Sequence, residues 1–275
     1  MNKLLNLGCG KRFHKDWINI DIQSQSEYVI AHDLKKGIPY NDNEFDMVYH
    51  SHVLEHIPKN EAYNFLQECV RVLKPGGVLR IAIPDLEKIT RKYLELLEKG
   101  IENPLSQENW ENYQWLLIEM YDQTVRTQSG GEMRQYLTRK NIINEAFLIE
   151  QCGFEVKEIW ESLRQNRTVE KVGIAKKLFW FFKYSQFRND AFHQLLFPKR
   201  HRLYLSARFR NSGEIHQWMY DRYSLGKLLS ELKLTSITTQ KFDTSHNSSW
   251  NSFELDGTKN NGPFKPDSLF VEGIK

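Results

Sequence analysis

Apolar residues in the first third of the chain come in short blocks, and each block ends on a polar group. Leu4-Leu5-Asn6-Leu7 runs into Gly8-Cys9-Gly10, and Trp17-Ile18-Asn19-Ile20-Asp21-Ile22 ends near an acid. Tyr28-Val29-Ile30-Ala31-His32-Asp33-Leu34 repeats that arrangement. So do Glu44-Phe45-Asp46-Met47-Val48-Tyr49-His50 and Val78-Leu79-Arg80-Ile81-Ala82-Ile83-Pro84-Asp85. Near-continuous apolar runs of this length predict strands buried on both faces, as in a parallel sheet. Between the last two, Tyr63, Leu66, Val70 and Leu73 recur at helical spacing. They predict a helix over 60–73, stopped by Lys74-Pro75-Gly76-Gly77. Residues 11–16 and 23–27 are too few for crossover helices, which take about a dozen residues. The first two connections are therefore expected to be loops or single turns.

Strands that each deliver a polar group at the C-terminal end describe an open α/β sheet. Ligands in such sheets bind outside those ends, where the strand order reverses. Gly-Cys-Gly after the first strand offers a turn poor in side chains, where a ligand can approach backbone N–H groups. Acids at the strand ends can accept hydrogen bonds from ribose hydroxyls or an exocyclic amine; their alternative role is to cap helices and turns.

Beyond Asp85 the sheet pattern stops. Leu86, Ile89, Tyr93, Leu96 and Leu97 predict a helix closing at Gly100. Trp110 to Met120 predict a second, ending before Ser129-Gly130-Gly131, and residues 139–151 a third. Tyr223 opens a further helix, and residues 236–242 and 268–274 read as closing strands. Residues 143–159 also fit a helix, a Gly-Phe turn and a strand, which leaves the choice of final strands open. Over 164–210, twelve Lys and Arg residues face only Glu170 and Asp190, interleaved with Phe179, Trp180, Phe181, Phe182, Tyr184 and Phe187. Such a stretch can be a solvated helix face, lie on an anionic membrane or lipid-linked acceptor, or track nucleic acid. Nucleic acid is the least supported, because no RNA-binding module accompanies the patch.

Composition narrows this little. A formal charge of +3 over 275 residues argues neither for nor against an anionic partner. Cys9, Cys69 and Cys152 are scattered, which speaks against a disulfide framework or a cysteine zinc site and fits a reducing, cytoplasmic setting. No secretory signal is read at the N-terminus, and the apolar run Leu178–Phe182 is far short of a membrane span.

LNLGCG, INID, HDL, FDMVYHSHVLEHI and RVLKPGGVLRIAIPD together resemble the ordered motifs of class I S-adenosylmethionine-dependent methyltransferases, methyltransferase type 11-like. A narrower likeness, to a methyltransferase group considered with surface-polysaccharide genes, extends to HQWMYDRYSL and KPDSLFVEGIK. The resemblance implies a Rossmann-like α/β sheet, mostly parallel with an antiparallel last strand, and a helical insertion. Residues 1–85 would be the cofactor-binding half, 86–222 the insertion or lid, and 223–275 the helix and strands completing the sheet. It implies S-adenosyl-L-methionine as cofactor. Leu7, Gly8, Cys9 and Gly10 would lie at its amino-acid moiety, Asp21 and Ile22 at the ribose, Asp33 and Leu34 at the adenine, and His50 and Ser51 at the methionine portion. Phe13 stands where G-x-G-x-x-G/A has its third glycine, and Asp21 follows Gly10 by eleven positions rather than about 20. The short spacing leaves no full helix after the turn, which counts against an NAD enzyme, whose pyrophosphate depends on one.

His52-Val53-Leu54-Glu55-His56 also matches the H-x-x-E-H zinc-protease signature. That chemistry needs a stable helix, and Pro58 leaves room for one turn, so the motif reads as the loop after the fourth strand with no metal assigned. Methylation of an oxygen needs a general base. His52, His56, Asp85 and His216 are the candidates, histidine because its ordinary pKa near 6.5 suits the task. The resemblance points to O-methylation of a sugar or glycan-like acceptor. RNA methylation and a non-catalytic cofactor-binding scaffold are the alternatives, and the oligomeric state stays open.

Overall fold

The computed structural model describes residues 2–164, 179 and 181–275. Its strands are β1 Leu4–Leu7, β2 Ile18–Asp21, β3 Val29–Ala31, β4 Phe45–Ser51, β5 Leu73–Pro84, β6 Thr235–Gln240, β7 Gly257–Thr258, β8 Gly262–Pro263 and β9 Ser268–Ile274. Seven form one sheet in the order β3-β2-β1-β4-β5-β9-β6; β7 and β8 pair separately. β1 to β5 run parallel, and β9 inserts antiparallel between β5 and β6. The order reverses between β1 and β4, which makes the C-terminal ends of those strands the switch point.

The helices are α1 Lys59–Val72, α2 Leu86–Glu102, α3 Gln107–Val125, α4 Gly131–Leu137, α5 Glu145–Cys152, α6 Phe154–Arg164, α7 Ser185–Leu196, α8 His201–Arg210 and α9 Arg222–Glu231. α1 and α9 cover one sheet face. Phe65, Leu66, Cys69 and Val72 of α1, with Leu225 and Leu229 of α9, pack on Leu5, Leu7, Val48, Leu79 and Ile81. α2 to α6 build two smaller cores away from the sheet, around Leu116 and around Trp115 and Trp160.

The first two connections are loops, as their length requires, and they leave the other sheet face without crossover helices. Trp17, Trp250, Leu255 and Phe253 cover it instead, on Leu4, Met47, Tyr49 and Val78. Across this face runs one row of polar side chains: Asn19, Asn6, Tyr49, Arg80 and Glu272, in register on five adjacent strands. All five are buried. Asn19 Nδ2 donates to the carbonyls of His14, Trp17 and Tyr28, and Asn6 Nδ2 to that of Arg12, so the row holds both loops. The Arg80 guanidinium donates to Asp256 and Glu272, each at 2.8 Å, and to the carbonyls of Thr244 and Lys241. It lies 4.2 Å from the Trp250 ring centre.

Several expectations change. Helix α1 stops at Val72, but Lys74-Pro75-Gly76-Gly77 loops out inside β5, where the register shifts between Phe45↔Leu73 and Met47↔Val78. The third helix of the insertion begins at Glu145, not 139, and α4 precedes it. Residues 154–164 are helical, which removes the alternative strand; Gly153, with φ of +62°, turns α5 into α6. Of the basic stretch, residues 165–178 and 180 lie outside the described residues.

Replacing Arg80 with Met leaves two buried carboxylates without their cation, and removing one partner of a buried pair costs about 3–5 kcal/mol. Urea unfolding followed by tryptophan fluorescence should show that loss. A change below about 1 kcal/mol would mean that the row does not hold this face.

Candidate active site

A crevice of about 970 Å³ opens at the switch point. Gly8, Cys9 and Gly10 form its floor with Ser51 and His52; Asn6 and Tyr49 of the polar row reach it from below. Gly8 and Gly10 both have positive φ, +62° and +54°, a conformation that a side chain strains. A Cβ on Gly8 would also lie 2.4 Å from Val53 Cγ2, so only glycine fits. Gly10 N–H donates to Asp21 Oδ2 at 2.9 Å, which ties the turn to the end of β2. Glu158, Ile159, Glu161 and Ser162 of α6 line the crevice as well, as do Phe264 and Lys265. Arg12 stacks 4.2 Å from the Phe264 ring centre. A second groove, of about 430 Å³ between α2 and α3, is lined mostly by Leu96, Leu97, Ile101, Leu105 and Trp110 and brings no cluster of polar groups together.

The residues expected at a cofactor divide by position. Leu7 is buried beneath the turn. Cys9 is buried too, and burial pushes its thiol up to about 12, so it stays a protonated thiol at neutral pH. Ile22 projects beside Asp21 and is 65% exposed, an apolar surface at the strand end. Asp33 accepts the Lys35 N–H at 3.0 Å and so caps the single turn Leu34–Lys36, while Leu34 packs on the main core. Ser51 lines the crevice. The His50 side chain points to the opposite face against Phe65, and neither ring nitrogen has a hydrogen-bond partner. Burial pushes its pKa down to about 4.

Three of the four catalytic candidates converge on Glu55. This carboxylate is 1% exposed, on the single turn Leu54–His56. His52 Nδ1 lies 3.0 Å from Glu55 Oε1, and His52 Nε2 is 2.9 Å from Ser268 Oγ. His56 and His216 meet edge to face with ring centres 4.8 Å apart. Burial pushes both imidazoles down, His216 to about 3. For Glu55 burial acts the other way, but the neighbouring imidazoles outweigh it and hold the carboxyl down to about 2. The segment carrying His216 is docked by backbone bonds: the N–H groups of Gln217 and Trp218 donate to the Glu55 carbonyl. Asp85 stands apart as the N-cap of α2, its carboxylate accepting the Lys88 N–H at 3.1 Å, half-buried and with its pKa raised by burial. Of the four, only His52 lines the crevice. Sequence reasoning missed Glu158, Glu161 and Ser162, which carry no local motif; Phe264 and Lys265 lie in the polar connection 243–267, which the sequence offers as part of an acceptor rim. It also passed over Arg80, although a lone arginine inside an apolar strand is a signal in itself.

Residues 16–81, from just before β2 into β5, match the family model of a methyltransferase domain. Over that segment the chain is similar to a methyltransferase domain. No curated protein matches it in sequence. Among solved structures, a SAM-dependent methyltransferase from Archaeoglobus fulgidus is 12% identical, covering 100% of this chain and 86% of its own, with a TM-score of 0.38. A Burkholderia thailandensis 1,6-didemethyltoxoflavin-N1-methyltransferase, solved with bound 1,6-didemethyltoxoflavin and S-adenosylhomocysteine, is 16% identical over 31% of this chain and 46% of its own, TM-score 0.27. A methyltransferase solved with the Haloferax volcanii Trm112 activator is 16% identical over 36% and 51%, TM-score 0.27. The chain thus spans about half the length of the last two.

The cofactor of such a methyltransferase domain is S-adenosylmethionine. The crevice fits it on three counts: a glycine backbone that no side chain screens, an acid tied to that turn, and both basic and acidic groups for a zwitterionic amino acid.

His50 makes the domain acid-sensitive. It is neutral in the fold down to about pH 4, whereas the unfolded chain protonates it near 6.5. Stability is therefore full above pH 6.5 and falls as the pH drops toward 4, by about 3 kcal/mol from this group. Denaturant midpoints measured over that range should show the slope, and His50→Leu should flatten it. An unchanged slope in the variant would assign the effect to other groups.

Proposed function

We propose that the protein transfers a methyl group from S-adenosylmethionine to a hydroxyl oxygen of a sugar or glycan-like acceptor. The observation that carries this reading is the crevice at the β1–β4 switch point, where the Gly8-Cys9-Gly10 turn meets a wall of polar side chains. Gly8 and Gly10 would present backbone to the cofactor's amino-acid end, with Lys11, Arg12 and Lys265 near its carboxylate and Glu158 and Glu161 near its ammonium. Asp21 keeps lone pairs for the ribose hydroxyls beyond the bonds it already accepts. Ile22 supplies an apolar surface for the base.

The bound cofactor supplies an electrophilic methyl group on a sulfonium. An acceptor oxygen forms the new C–O bond as the C–S bond breaks, and its proton must leave. His52 is the candidate base that lines the crevice: with Glu55 against Nδ1, its Nε2 would take the acceptor proton in place of its contact with Ser268 Oγ. Ser51, Ser162, Glu158 and Glu161 suit an acceptor rich in hydroxyls. In this reading the insertion, 86–222, acts as a lid, with α6 supplying the wall that excludes water.

Calorimetric titration with S-adenosylhomocysteine should show one site, with NAD not binding. Asp21→Ala should weaken that site roughly tenfold or more, as loss of charge-assisted bonds implies. No binding by folded protein would overturn the reading.

A contact with an anionic membrane, where a lipid-linked acceptor would lie, has its own support. Among the described residues no helix is long and apolar enough to cross a membrane. Yet α7 and α8 expose Phe192, Leu195, Leu196, Leu203 and, between them, Phe197, with Leu195 at 77%. Lys183, Arg188, Lys199, Arg200 and Arg202 stand among them. Exposed apolar groups with interspersed cations are what an anionic bilayer surface binds. Co-sedimentation should be strong with phosphatidylserine vesicles, weak with phosphatidylcholine alone, and reduced by Leu195→Ser with Leu203→Ser. Equal binding to both vesicles would remove the electrostatic part of this reading.

A further inference from the structure

The Glu55 carboxylate is buried, and neither of its oxygens accepts a hydrogen bond. The contact with His52 Nδ1 is close, at 3.0 Å, but out of line for one. A buried carboxylate left in this state is costly unless a cation is beside it. Two further donors face the same point. One ligand atom each from Glu55, His56 and His216 lies within 4.8 Å of the others. Donors sharing one ion at about 2.0–2.2 Å stand at most about 4.4 Å apart, so small side-chain rotations bring the three together.

The orientation of His56 supports the same conclusion. Its Nδ1 lies 3.2 Å from the Ile215 carbonyl oxygen. A carbonyl only accepts, so Nδ1 carries the proton and Nε2 keeps its lone pair. Metal-binding histidines are held in this way, with the second nitrogen donating to a backbone carbonyl or carboxylate. The carbonyl belongs to the residue next to His216, so the segment that fixes one imidazole also brings the other.

We propose that Glu55, His56 and His216 bind a divalent transition-metal ion of the zinc and cobalt class. Two imidazoles and one carboxylate suit that class better than calcium or magnesium, which favour oxygen donors. The H-x-x-E-H motif contributes two ligands from a single turn, without the helix that a protease would need. The third arrives from residue 216, which the fold places on that turn. Three protein ligands leave a coordination position for water or a substrate oxygen. His52 contacts Glu55 on one side and lines the crevice on the other, so the ion stands at the crevice margin. Metal binding here does not depend on methyl transfer or on the acceptor.

The full chain is stripped with EDTA, returned to chelator-free buffer and titrated with cobalt chloride, then zinc sulfate by calorimetry. We expect one equivalent of cobalt with a visible d–d absorption band, displaced by zinc, and a higher melting temperature with the metal bound. His216→Gln should bind cobalt roughly a hundredfold more weakly while keeping the far-UV circular dichroism of the parent. His193→Gln, a histidine of α7, serves as control and should bind as the parent does. Absence of the band in folded parent protein overturns the proposal, as does equal uptake by the parent and His216→Gln. If Glu55→Gln fails to fold, the parent stoichiometry and the His216 variant still decide the question.

Discussion

The structure depends on how a sheet face without crossover helices is kept dry. In an ordinary doubly wound fold both faces are covered by helices that connect parallel strands. Here the connections after β1 and β2 are too short, so loops and the segment after β6 must take over. Loops bring unpaired backbone carbonyls to a buried surface, and each needs a donor. The row Asn19–Asn6–Tyr49–Arg80–Glu272 supplies the two amides and the five-donor guanidinium that bind them. Its one acid, Glu272, and Asp256 of the covering segment both pair with the same arginine, and the Tyr49 hydroxyl donates to Asp256. The charges lie on the sheet for the sake of the loops above it.

That arrangement reaches the site. Asn6 and Tyr49 belong both to the row and to the crevice lining. Arg12, whose carbonyl Asn6 holds, stacks on Phe264, and Phe264 lies in the segment leading into β9. The Gly8-Cys9-Gly10 turn is therefore braced from below by the row and from the side by Asp21. The turn needs little from a helix dipole, because its backbone is already fixed by side chains.

Much of this was legible in the sequence, for identifiable reasons. Strands buried on both faces print as apolar runs, so β1, β2, β4, β5 and β9 stand out, and Asp21 stands out because an acid ends such a run. The insertion was harder to read. Gly130-Gly131 reads as a stop, yet Gly130, with φ of +79°, is the residue from which α4 starts. Phe154-Glu155-Val156 has strand-like composition, but Val156 and Trp160, one helical turn apart, pack with Trp115 and Leu137, and that packing decides for helix. The grouping of His216 with Glu55 was out of reach. It joins residues separated by the entire insertion, and only the docked 215–218 segment brings them together.

The turn after β4 carries the strain of this design. His52 has a φ of +54°, which costs a non-glycine residue of order 1 kcal/mol or more. Three contacts hold it there: Glu55 on Nδ1, Ser268 on Nε2, and its own N–H on the Ala82 carbonyl. Each comes from a different element, the turn itself, β9 and β5. Glu55 in turn accepts the 215–218 segment through its carbonyl. A change at the end of the insertion therefore reaches the crevice through two residues, Glu55 and His52. A cation on Glu55 would stiffen both links together, because it would neutralise the one charge around which the three histidines gather.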